Sequence, residues 1–201
     1  MTSIADSSFK DYSQRGEQRI ILDYFAGRLG TFLDVGAYDP FKFSNTRALY
    51  EKGWSGVMIE PAQANFETLK KEYGGEKRIQ LFNFALGDKD KMVNLWDSNG
   101  DALSSTDEKQ VKKWSNVKFT KTKTKMLSWH TFLKKARWKE FDFINIDVED
   151  DNLAINILRQ INLTKYQLIC VECNEQRNEM KSLMRNFTLV KEFAENLIYV
   201  V

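Results

Sequence analysis

The sequence predicts an α/β protein, a doubly wound and mostly parallel sheet with helices on both faces and an antiparallel hairpin at its C-terminal end. Three observations predict it. Short apolar runs alternate with amphipathic stretches, the pattern of βαβ units. Four of the runs end in an acid: Asp34, Glu60, Asp147 and Glu172. Residues 188–193 and 197–201 read as two strands turning around Glu195-Asn196. Right-handed crossovers place the four acids along one edge of the sheet, where α/β sheets open their ligand crevice. Buried carboxylates are costly without partners, so four at strand ends point to a site and not to core packing.

Bulk properties bound the class. A chain of 201 residues is long enough for one domain with a substantial core, so residues 1–201 are read as one domain. Hydrophobic content of 42% excludes a disordered chain. A net charge of +2 from 30 basic and 28 acidic side chains gives no overall field for nucleic acid, and none is expected as a partner. Cys170 and Cys173 fall in a predicted strand, where residues three apart point to opposite faces, against a redox or zinc pair. The polar N-terminus carries no signal-peptide pattern, and no apolar run approaches the ~20 residues of a membrane span. The expectation is a cytoplasmic protein with no membrane partner.

The chain then reads in order. Residues 1–12 are polar and expected to be loosely ordered. A helix stripe follows up to Phe25, with Ser13 and Gln14 just ahead of it. The stretch T-F-L-D-V-G-A from Thr31 reads as a short buried strand whose carboxyl end, at Asp34, turns sharply, and Gly36 allows that turn and the close approach of a ligand. Ser44 is placed as N-cap of a helix over 45–52, whose free N–H groups would suit a carboxylate. Strand 57–60 ends at Glu60, an acid placed to hold the two hydroxyls of a ribose. Residues 79–85 read as one strand, 86–88 as a turn and 91–96 as a further strand. The polar stretch 98–117 reads as a long loop with a helical piece, a cover for the acceptor side of a site. Lys118, Lys121, Lys123 and Lys125 mark 117–126 as a solvated edge strand. Strands at 141–146 and 167–171 flank a helix over 152–160, and a last helix spans 175–186. His130 falls within a helix after Ser128 and is not placed in the site.

Several motifs, in this order, resemble the FkbM-type methyltransferases. They are S-Q-R-G-E from Ser13, F-L-D-V-G-A from Phe32, S-N-T from Ser44, G-W-S-G-V-M-I-E-P from Gly53, A-L-G-D from Ala85 and I-D-V-E from Ile146. The resemblance runs from Tyr12 to about Glu172 and departs from the family pattern at Pro40 and Asp150. It implies a class I fold with a seven-stranded sheet and S-adenosylmethionine as cofactor. It implies that Glu60, followed by Pro61, holds the ribose. Asp34, Gly36 and Ala37 would pass beneath the methionine part, and Asn83, Ala85 and Leu86 would line the adenine. Asp147 would lie near the transferred methyl, with Gln14, Ser44 and Asn45 as further cofactor contacts.

The expected function is methyl transfer to a hydroxyl of a small molecule, in particular a sugar or glycan. Alignment of donor and acceptor does most of the work, and a base takes the hydroxyl proton. Asp147, Glu149 and Glu172 are the catalytic candidates. The same three acids could instead hold a divalent cation, Mg²⁺ or Mn²⁺, through oxygen ligands alone. The competing readings are an RNA or protein methyltransferase and a non-catalytic binding protein of the same fold.

Overall fold

The computed structural model describes residues 10–201. The loose order expected for residues 1–9 lies outside them. Tyr12 is docked, its hydroxyl donating to Glu51 and its carbonyl accepting from the Ser44 N–H.

The main sheet has seven strands. They are β1 (Thr31–Val35), β2 (Ser55–Ile59), β3 (Ile79–Phe82), β7 (Phe143–Ile146), β8 (Leu168–Glu172), β9 (Thr188–Glu192) and β10 (Asn196–Val200). Their order is β3-β2-β1-β7-β8-β10-β9. The pairs β3-β2, β2-β1, β1-β7 and β7-β8 are parallel, and β10 runs antiparallel to both β8 and β9. This is the doubly wound sheet with a closing hairpin that the sequence predicts.

The central strands are apolar on both faces because both faces are covered. On one face, Phe32, Met58, Phe143 and Ile198 meet α1 (Glu17–Phe25), α2 (Arg47–Glu51) and α3 (Gln63–Tyr73). On the other, Leu33, Val57, Ile144 and Ile169 meet α5 (Trp129–Lys135), α6 (Asp151–Leu158) and α7 (Arg177–Leu183). Among the described residues no helix is long and apolar enough to cross a membrane.

Three expectations need correction. The strand read over 79–85 is two strands. β3 ends at Phe82, and β4 (Ala85–Gly87) belongs to a second, three-stranded sheet. The L-G-D stretch, read as a turn, lies partly in this strand because Leu86 and Gly87 pair with Leu127 and Ser128. The lysine-bearing strand is β6 (Thr120–Ser128), the middle strand of the small sheet and not an outer one. It pairs with β5 (Lys91–Asp97) along 120–126 and with β4 only at 126–128, so its lysine half keeps one open edge.

The helix expected over 45–52 is the short α2. Its N-cap position is Thr46 and not Ser44, although Ser44 Oγ accepts from the Arg47 N–H at 3.1 Å and so occupies one of the N–H groups expected to suit a carboxylate. Asp150, a departure from the family pattern, caps α6 by accepting from the Leu153 N–H. An Asp at that position therefore serves the helix start.

Candidate active site

Four strand ends build the floor of a crevice of about 500 Å³. Along the sheet edge come Glu60 after β2, Gly36 after β1, Asp147 after β7 and Glu172 at the end of β8. The segment 98–117 supplies a wall, with Leu103, Gln110, Lys113 and Trp114 facing the space. Ser105 Oγ donates to the Glu149 carbonyl, and Lys113 is ion-paired with Glu175.

Gly36 has φ +82°, and a Cβ built on it would stand 1.6 Å from the Asp147 carbonyl oxygen. Only glycine allows β1 and β7 to turn out of the sheet this close together. The Asp147 N–H donates to the Val35 carbonyl, which extends the strand pairing into the turn.

Glu60 is buried and accepts from the Tyr38 N–H at 3.0 Å and the Ala62 N–H at 2.7 Å. Burial raises its carboxyl to about 7, against these two donors. Each oxygen keeps a free lone pair, and the residue lines the crevice.

Asp147, Glu149 and Glu172 have carboxylate oxygens within 4.8 Å of one another. Burial, then the neighbouring carboxylates, raise Asp147 well above the usual range and Glu149 to about 8. Burial also raises Glu172, although it accepts from the Glu149 N–H and Asn174 Nδ2. Three carboxylates this close repel, and a shared proton relieves the repulsion as a cation would. Glu149 has φ 54°, a left-handed conformation rare outside glycine, which costs about 1–3 kcal/mol and recurs at functional sites.

Of the residues expected from the sequence, Gln14, Gly36, Glu60, Pro61, Ala85, Leu86, Asp147, Glu149 and Glu172 line the crevice. Asp34, Ala37, Ser44, Asn45 and Asn83 lie outside its lining. Asp34 is buried among polar partners. Thr46 Oγ1 donates to it at 2.6 Å and Asn145 Nδ2 at 2.9 Å, and burial still raises its carboxyl. Asn45 Nδ2 donates to Asn145 Oδ1, so this group ties β1, β7 and the approach to α2 together. Asn83 Nδ2 donates to the Glu60 and Pro61 carbonyls and fixes the loop after β2.

The sequence reading missed the aromatic lining: Tyr38, Phe43 and Trp114. Tyr38 and Phe43 stack at 6.4 Å, with φ 48° and 56°. A signal for Trp114 was present, since a lone tryptophan in a polar loop has no core to join.

Solved structures place this architecture in a class. Methyltransferase FkbM from Methylobacillus flagellatus KT superposes with a TM-score of 0.53 at 14% identity, over 86% of this chain and 43% of that one. The chain thus spans less than half the length of that protein. The ribosomal protein L11 methylase from Lactobacillus delbrueckii subsp. bulgaricus matches with a TM-score of 0.50 at 10% identity, over 91% and 74%. The shared fold is that of class I methyltransferases. Residues 34–196 match the model of the Methyltransferase FkbM domain, and the chain belongs to that family. A search of curated proteins finds no match.

Proposed function

We propose that this protein transfers a methyl group from S-adenosylmethionine to a hydroxyl of a small, sugar-like acceptor. One observation carries the reading: three carboxyl groups within 4.8 Å of one another share a crevice with Gly36 and Glu60. The residues fit the cofactor. Gly36 offers backbone with no side chain in the way, Glu60 offers acceptors for ribose hydroxyls, and Ile59, Ala85 and Leu86 offer an apolar wall. Bound, the cofactor supplies a methyl group already activated on a sulfonium.

The chain's own residues do the rest. Glu60 fixes the ribose end. Asp147, Glu149 and Glu172 share a proton among themselves, and the member left ionised, Asp147 first, accepts the acceptor's hydroxyl proton, its affinity for protons raised by burial and by its neighbours. The segment 98–117 keeps water from the reacting groups. This base is what favours a hydroxyl acceptor, since an amine able to react needs no such help.

The test is methyl transfer from isotopically labelled S-adenosylmethionine to a panel of methyl glycosides and other polyols, with RNA and protein as parallel acceptors. Label in an O-methyl product supports the reading. Cofactor binding with label only in RNA or protein overturns it.

A further inference from the structure

The crevice lining is unbalanced in charge. Glu60, Asp147, Glu149 and Glu172 are joined by Asp101, Glu175 and Glu195, seven carboxylates in all. The lining holds one cation among the described residues, Lys113, and it is paired with Glu175. Among the described residues no arginine lines the space, although planar guanidinium groups are the usual partners of phosphate, and the nearby Arg15 is paired with Glu195. A separate observation concerns shape. Trp114 faces the crevice from 98–117 with 46% of its surface exposed, beside Lys113. An apolar plane left open inside a polar cleft is a platform for the flat C–H face of a ring. Asn174, Gln110 and the carboxylates of Glu175 and Glu195 offer hydrogen-bond partners to ring hydroxyls nearby.

We propose that Trp114 stacks on the acceptor ring and that the acidic rim selects an acceptor without phosphate. The acceptor is an uncharged, or amine-bearing, glycoside or polyol and not a sugar phosphate or nucleotide-linked sugar. This rests on the methyl-transfer reading above. Each phosphate charge brought close to an ionised carboxylate weakens binding by roughly fivefold to several hundredfold, depending on how much water remains. Lys113 and Arg15 are already held by Glu175 and Glu195, so exclusion follows from the repulsion of the remaining ionised carboxylates, with no unpaired cation among the described lining residues to offset it.

The experiment compares each methyl glycoside with its phosphate ester and its nucleoside-diphosphate form, using kcat/KM with saturating S-adenosylmethionine. The uncharged form is expected to exceed the phosphorylated ones by roughly 100-fold or more. Trp114→Ala is expected to raise KM for the glycoside by about tenfold, and Trp114→Phe to restore most of it. Calorimetric affinity for S-adenosylmethionine stays the same in both variants, which separates acceptor stacking from misfolding. Preference for the phosphorylated acceptor, or an unchanged KM in Trp114→Ala, overturns this inference and leaves methyl transfer to a hydroxyl standing. No O-methyl product from any acceptor, despite bound cofactor, overturns both.

Discussion

The Asp147 carbonyl oxygen occupies the space beside Gly36 that a side chain would need, with 1.6 Å between it and a Cβ at that position. Two turns that carry the site are therefore in backbone contact. The Gly36 turn and the acid cluster share one piece of geometry.

Gly36→Ala is expected to destabilise the protein by about 2–4 kcal/mol. The added methyl meets backbone, which cannot swing aside, and alanine resists φ +82°. Urea unfolding measures the loss. Stability within about 0.5 kcal/mol of the parent would show that the turns can separate freely.

Glu60→Gln is expected to weaken S-adenosylmethionine about tenfold or more, as a charged acceptor becomes a neutral one. Because Glu60 titrates at about 7, affinity in the parent should also fall as pH drops from 8 to 6. Calorimetry at three pH values checks both. A pH-independent affinity equal in parent and variant would remove Glu60 from the ribose role.

Stability should depend on pH in an unusual direction. Burial and the Glu172 carboxylate raise Glu149 from 4.5 to about 8 in the folded protein. The folded state then holds a proton that the unfolded chain has already released. Stability is full below about 4.5 for this group and declines as pH rises towards about 8. Thermal melting of the parent should show this decline, and Glu149→Gln should flatten it. Equal slopes in the two proteins would contradict the assignment.

Asp147→Asn is expected to lower turnover by about 100-fold or more while changing cofactor affinity far less. A parallel assay with chelator separates proton transfer from metal assistance. Activity lost to chelator and restored by Mg²⁺ or Mn²⁺ would assign the three acids to a cation. Full turnover in the variant, with no effect of chelator, would leave alignment as the whole mechanism.

Much of this site was legible in the sequence because strand ends are legible. Apolar runs stopping at Glu60, Asp147 and Glu172 located three parts of the crevice floor, and the glycine at 36 located the turn. Asp34 shows the limit. It sits in the same kind of run, yet its side chain is claimed by Thr46 and Asn145, a partner 111 positions away that no local pattern reveals. The division of 79–87 between two sheets was illegible for the same reason. Ala85–Gly87 is a strand only because Met126–Ser128 lies beside it. Backbone signs at Tyr38, Phe43 and Glu149 leave no trace in composition, since each is a residue type that normally avoids them.

The small sheet has a consequence for how such proteins diversify. Strand β5 and the segment 98–117 lie between β4 and β6, which pair with each other, so residues 88–119 form a cassette between two joined ends. Gly36, Glu60, Asp147 and Glu172 all lie outside it, whereas Trp114 and Lys113 lie within. On the proposed reading, exchanging the cassette between relatives would re-tailor which molecule is modified without rebuilding the machinery that modifies it.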